Sequence, residues 1–543
     1  MKTIYYNGAV YTGTLPLAQA FAVENGRFLF AGTNEEAKAL AADNDRLIDL
    51  GGRFVCSGFN DSHMHLLNYG NALHSALLSE HTGSLKDLKE CFRSFMKAHP
   101  PKGNAWVIGR GWNQDYFSDV DRMPNRYDLD EISKDVPICA TRACGHCMVV
   151  NSKALEAAGI TKNTPQPEGG RIGIENGEPD GRLFDNAMSF IHKAIPSPDK
   201  EQLKSMLISA IKKLNSYGIT SCQTDDYKVF QNVPWQTVNE AFHELEAEGA
   251  LTVRIYEQSN FHTLESLREF VESGNKTGAG TDHFRIGPLK MLGDGALGAR
   301  TAFLSRPYAD DPSTCGLPVF TEEVMDEMIA YANAHEMQIA VHAIGDACLD
   351  WVLNAYEKAL KEHPRTDHRH GIVHCQITRP DQLERIRRLN LHVYAQYIFL
   401  DYDIRIVEER AGAELASTSY SWKTLMESGV TVSNGSDCPV ELPDVMAGIQ
   451  CAVTRKTLDG TMGPYLPKEA FTVQEALDSF TKTAAFSSFD EKNKGQILPG
   501  MLADFVILGE NPFLAASETL KDIPILATVL EGRPVFTAPG SPV

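Results

Sequence analysis

Glu322-Glu-Val-Met-Asp-Glu-Met-Ile-Ala-Tyr-Ala-Asn-Ala-His335 leads through two residues into Gln338-Ile-Ala-Val-His342-Ala343. The first part sets apolar side chains three and four apart, at 325, 328, 329 and 332, the spacing of a helix with one apolar face. The second is a short run dominated by small and β-branched residues. It is too short for a helix and suits a strand covered on both sides, as in a parallel sheet. His342, a residue able to do chemistry, stands near its end.

The same pairing recurs in both directions along the chain. Apolar, mostly β-branched runs lie at 219–224, 251–257, 284–292, 338–343, 371–375, 391–396 and 430–435. Longer amphipathic stretches lie beside them, at 201–217, 235–249, 322–335 and 419–428. Gly218 and Gly249 stand where glycines that end helices are expected. With 53–59 counted as the first strand there are eight βα units, which favours an α/β fold of the (β/α)8 TIM-barrel type over a doubly wound sheet.

Both chain ends read differently. Short β-rich segments at 4–6, 8–11, 21–24 and 27–31, with Asn25-Gly26 as a hairpin signal, are answered at the far end by 503–508, 527–530 and 534–536. Neither set makes a core alone, so the expectation is one small β-sandwich domain from residues 1–55 and 495–543, with the barrel over 56–494. The gap from His65 to Ile219 is too long for one connection. Its stretch 102–195, rich in Gly, Pro, Asn and aromatics, reads as a subdomain inserted after the first barrel strand, on the side where such barrels keep their chemistry.

The chain has 543 residues, 43% of them apolar and 22% charged, the balance of a globular protein with a large core. Fifty-one Lys and Arg against 71 Asp and Glu leave a net charge of −20. That excludes a basic nucleic-acid footprint and an anionic membrane surface as partners. No signal-peptide pattern and no span of about 18 apolar residues is present, and the cysteine count, 11, is odd. A reduced, cytoplasmic setting is the expectation. Cys144-Gly-His-Cys147 reads as small buried thiols rather than half of a zinc site.

Asp61-Ser-His63-Met-His65 closes the first strand, and side chains two apart on a strand share a face. Both imidazoles can therefore point to one metal, with Asp61 nearby. His-x-His alone is weak, since His368-Arg-His370 is another. Position strengthens it. Lys290 lies inside the apolar run 288–292, where a lysine is costly to bury without a partner. His342, His374 and Asp437 end or follow later strands. Ligand-type residues thus fall at the ends of strands one, four, five, six and eight, which a barrel brings to one mouth. Imidazoles with carboxylates suit zinc.

At these residues the chain resembles the amidohydrolase superfamily of metal-dependent hydrolases, closest to the branch of N-substituted formamide deformylase, amidohydrolase family 3. The likeness covers nearly the whole chain. It is carried by the segment from Gly51 to His65, with Ser57 where relatives have proline, and by Lys290-Met-Leu-Gly-Asp-Gly-Ala-Leu-Gly-Ala-Arg-Thr301. Val341-His-Ala-Ile-Gly-Asp346, His374-Cys-Gln376, Gly435-Ser-Asp-Cys-Pro-Val440 and the return from Gly495 to Val506 add to it. The resemblance implies that His63 and His65 bind a first metal and His342 and His374 a second, with Lys290 bridging them as a carbamate. It makes Asp437 both a ligand and the proton carrier. Val373 stands where many relatives have a glutamate. In the insertion, Trp112 either stacks on substrate or anchors the subdomain core, and His146 either lines the pocket or is an ordinary loop residue. Asp294 either orients the metal shell or pins the turn between Gly293 and Gly295.

The reading is a hydrolase that uses a divalent metal, zinc as one or two ions, to cleave a C–N bond of a small-molecule substrate, an amide or N-substituted formamide. A lactone or ester substrate is the alternative within that chemistry. A metal-binding regulatory protein without turnover is the alternative of another class. Association as a homodimer stays open.

Overall fold

A computed structural model describes residues 1–101, 103, 105–143 and 146–543. Lys102, where the insertion was expected to begin, and Cys144 of the Cys144/Cys147 pair lie outside the described residues. Cys147 is buried, and no disulfide joins the described cysteines. Among the described residues no helix is long and apolar enough to cross a membrane.

Eight parallel strands follow one another around a barrel in chain order. They are β1 (Phe59–Met64), β2 (Ile219–Thr224), β3 (Arg254–Asn260), β4 (Phe284–Leu292), β5 (Ile339–Ala343), β6 (Gly371–His374), β7 (His392–Ala395) and β8 (Val432–Asn434). The segment Glu322–Ala334 is a helix begun by Thr321, whose side chain accepts from Val324 N, and it buries Met325, Met328, Ile329 and Ala332. It delivers the chain into β5. The barrel closes between first and last strands through bonds just past β8: Asp437 N donates to His63 O at 2.8 Å and His65 N to Cys438 O at 2.7 Å. Gly435 permits this approach, because a Cβ there would lie 2.6 Å from His63 N. His374 and Asp437 both adopt left-handed backbone, with φ of 74° and 58°.

Several boundaries differ from the sequence reading, the first barrel strand most of all. The run 53–59 is not the first barrel strand. Phe54–Ser57 belongs to another sheet, and β1 begins at Phe59, after Gly58. A Cβ on Gly58 would meet Thr220 Oγ1 at 2.2 Å, so the crossing from one sheet to the other passes where only glycine fits. The expected strand at 251–257 likewise sits later, as β3, and Arg46–Asp49 is a strand the sequence reading passed over.

Phe54–Ser57 lies in a five-stranded sheet with Ala9–Val10, Phe505–Leu508, Ile525–Leu530 and Arg533–Thr537, so both ends of the chain contribute. A four-stranded sheet of Arg27–Gly32, Ala20–Glu24, Thr3–Tyr6 and Arg46–Asp49 accompanies it. One apolar core joins the two. Tyr5 stacks on Phe21 at 4.5 Å between ring centres, and Phe505 meets both edge-on at 5.2 and 5.1 Å. Below this layer Asp504 holds Arg254, the first residue of β3, with Oδ2 2.7 Å from Nε; both side chains are 2% exposed.

A second compact unit comprises residues 68–206 and 230–233, wider than the 102–195 suggested by composition. Its sheet runs in the order Gly170–Glu175, Glu178–Asp185, Cys147–Val150, Ile138–Arg142, Val107–Trp112, Ala76–Leu77. Trp112 is fully buried in that unit's own core.

Candidate metal centre

The C-terminal ends of the barrel strands carry the ligand-type side chains. His63, on β1, is buried. Its Nδ1 lies 2.8 Å from Gln258 Oε1, while Gln258 Nε2 donates to Ser62 O at 3.2 Å. That second bond fixes which way the amide faces, so Oε1 accepts and Nδ1 carries the ring proton. Nε2 is left as a lone pair, 3.2 Å from Asp437 Oδ1. Burial first, and the Lys290 ammonium second, push His63 down to about 4.

His374 is built the same way. Gln396 Oε1 sits 2.7 Å from its Nδ1 and Gln396 Nε2 donates to Tyr394 O at 3.0 Å, which leaves Nε2 as the free lone pair. Burial, then His342, hold this imidazole well below its ordinary value. His63, His374 and Asp437 are all buried, and one ligand atom from each lies within 4.8 Å of the others. Neutral imidazole nitrogens and a carboxylate oxygen facing each other repel unless a cation lies between them. This donor set fits a divalent ion with nitrogen and oxygen ligands.

His65 follows β1 and is more open. Its Nδ1 donates to Asp225 Oδ1 at 2.7 Å, and its Nε2 is 3.0 Å from Asp437 Oδ1. Burial lowers its proton affinity, but the two carboxylates outweigh it and hold His65 well above the usual imidazole value. Burial favours the protonated form of Asp437, yet the hydrogen bond from His65 helps keep its carboxyl well below the usual carboxylate range. Asp61 lies beneath. Its carboxylate accepts from Ser436 N, Ser436 Oγ and His63 N, which ties the β8 loop to β1. Burial raises Asp61 to about 7.

The partner that Lys290 needed is Asp225, just past β2. Lys290 is fully buried in β4, and its Nζ donates to Asp225 Oδ2 at 3.0 Å with His63 Nε2 at 3.5 Å. The sequence reading missed Asp225, Gln258 and Gln396. The only available signal for Asp225 was the pair Asp225-Asp226 directly after an apolar run. His342 lies at the edge of this group: its ring packs on His374 at 4.4 Å, but its Nε2 faces Gly295 O at 3.2 Å and Asp294 Oδ1 at 3.3 Å. Asp294 accepts from Phe303 N, Ile344 N and Gly345 N, so it pins the loops after β4 and β5 while touching His342.

Of the candidate substrate contacts in the second unit, Trp112 is not available for stacking, since it is buried and its Nε1 donates to Ala140 O at 2.9 Å. His146 is exposed, with Nδ1 3.0 Å from Asp185 Oδ1. The second His-x-His pair, at 368 and 370, is buried among backbone and Asn333 partners.

Comparison with known proteins agrees with this architecture. YtcJ amidohydrolase of Bacillus subtilis (strain 168) is 34% identical over 99% of both chains. N-substituted formamide deformylase of Arthrobacter pascens is 25% identical over 96% of both. The crystal structure of an uncharacterized metal-dependent hydrolase from Pyrococcus furiosus superposes with a TM-score of 0.77 at 29% identity, covering 94% of this chain and all of that one. The amidohydrolase family matches residues 46–536, a span that takes in the whole barrel, the histidines at its mouth and the return into the small β-sheet. An eight-stranded barrel with this cluster at its mouth, inside a match of that extent, makes the chain a hydrolase of the amidohydrolase family.

Proposed function

We propose that the protein hydrolyses a C–N bond of an amide or N-substituted formamide, with zinc held by His63, His65, His374 and Asp437. The observation that carries this reading is the convergence of the buried His63, His374 and Asp437 donors at the barrel mouth. A relative 25% identical over 96% of both chains is an N-substituted formamide deformylase, which supports the bond type. A divalent ion in this set would polarise a carbonyl and make water easier to deprotonate.

The chain's own residues supply the rest. Gln258 and Gln396 hold two imidazoles with Nε2 unprotonated, ready to bind without first losing a proton. Asp437 engages His63 and His65 through Oδ1, which leaves Oδ2 outside these contacts. At that oxygen the carboxylate takes a proton from water and returns it to the leaving nitrogen, as general base and then general acid. Asp61 keeps the Ser436–Asp437 backbone in register with His63 while this happens.

Metal-free protein reloaded with zinc should hydrolyse at least one member of a panel of N-substituted formamides and amides, and a chelator should abolish the turnover. Turnover of lactones or esters alone would move the reading to C–O bonds. Metal-loaded protein inert to the whole panel would reject it.

His342 and Lys290 are the residues through which a second ion is recruited. Lys290 must first give up a proton from the ammonium that faces Asp225; the free amine can then add carbon dioxide and lose a second proton, becoming an anionic oxygen ligand. Lys290→Ala should therefore lower metal content and activity together, and short carboxylic acids should partly restore both. A metal-loaded crystal with Lys290 as an unmodified amine would refute the bridging role.

A further inference from the structure

We infer that Asp225 is a positioning residue that holds His65 with one carboxylate oxygen and Lys290 with the other, so that a single side chain places one group just past β1 and one on β4. The inference rests on the metal-hydrolase reading above.

The placement of Asp225 is over-determined by its backbone. Its N donates to Met64 O at 3.2 Å, between His63 and His65. On one side Thr224 Oγ1 accepts from Leu66 N at 2.7 Å; on the other Asp226 Oδ1 accepts from Leu67 N at 2.8 Å. The end of β2 is thus laced to the segment that carries His65. From this anchor Oδ1 reaches His65 Nδ1 at 2.7 Å and Oδ2 reaches Lys290 Nζ at 3.0 Å. Asn260 Nδ2, 3.4 Å from Oδ2, steadies the carboxylate from β3.

His65 differs from its neighbours in this respect. His63 and His374 have neutral amides on Nδ1, whereas His65 has a carboxylate. A carboxylate on the far nitrogen fixes the ring and strengthens the near nitrogen as a ligand. Because the same carboxylate also fixes Lys290, its loss frees two side chains of the site at once, whereas loss of Gln258 or Gln396 would free one.

Two variants test this on the full-length, metal-free protein. Asp225→Ala should weaken zinc binding, read against a competing chelator, by about 10–100-fold and alter the visible bands of the cobalt-loaded protein. Asp225→Asn keeps an oxygen for His65 Nδ1 but offers no charge to Lys290, so its loss should be smaller and of the same sign. The Asn variant decides the matter if the Ala variant does not fold. Zinc affinity within about twofold of wild type, with an unchanged cobalt spectrum in a folded variant, would overturn the positioning role. Wild-type protein that binds neither ion would overturn the metal reading, and this inference with it.

Discussion

Asp437→Asn is expected to cost about 10²–10⁴-fold in kcat, the usual contribution of a placed proton carrier, while most of the bound metal stays. Asparagine matches aspartate in shape and still offers an oxygen to His65 and an ion. It cannot take up a proton from water. The backbone accepts the change without strain, because position 437 sits at φ 58° and asparagine enters the left-handed region more readily than most residues. The melting temperature should therefore stay near wild type, which separates a lost proton carrier from a damaged fold. The deficit should fall in kcat and kcat/KM alike, with KM little changed, because the interaction belongs to the transition state. It should also persist from about pH 5 to 8. Burial favours a protonated Asp437, but the hydrogen bond from His65 helps hold its carboxyl well below the usual range, so the wild-type base stays ionised throughout. A metal-loaded variant turning over at close to the wild-type rate would place the proton carrier elsewhere.

The barrel was legible because its strands are short, apolar and separated by amphipathic stretches, and because a parallel strand buried on both faces has a distinctive composition. The ends of those strands were legible for the same reason: His342, His374 and Asp437 close or follow apolar runs at the end where such a barrel keeps its chemistry. What could not be read were relations set by closure. Asp225 looks like any acid after a strand until β2 and β4 bring it within 3.0 Å of Lys290, 65 residues away. Gln258, in β3, and Gln396, just past β7, are ordinary glutamines until their amides meet imidazoles from other strands. The displaced start of β1 has a similar origin. Residues 53–59 are continuous in hydropathy, and only the contact at Thr220 shows that Gly58 divides two sheets.

Deleting everything after Ile497 should abolish soluble expression. The cut removes Phe505–Leu508, the antiparallel neighbour of Phe54–Ser57, and takes Phe505 away from the Tyr5–Phe21 stack. An apolar sheet edge is left open to pairing with other chains. The cut also removes Asp504 and Glu531, leaving the Arg254 guanidinium buried without a carboxylate at the start of β3. Stranding one member of such a buried pair costs about 3–5 kcal/mol, a large part of a domain's total stability. Soluble fraction and zinc-dependent turnover measure the outcome. A truncated chain that is soluble and fully active would show the two ends of the chain to be independent.

The five-stranded sheet also imposes a timetable on synthesis. Phe54–Ser57 leaves the ribosome about 450 residues before its neighbour Phe505–Leu508. At roughly 5–20 residues per second that interval is roughly 20–90 s, long compared with the folding of most domains. All eight barrel strands are made within it. The first of them, β1, is joined through Gly58 to a strand with Ala9–Val10 on one flank and no neighbour yet on the other. The nascent chain must therefore shield an unfinished sheet while the barrel around the candidate metal centre is being laid down, and a strand translated after the whole barrel completes the sheet that was begun before it.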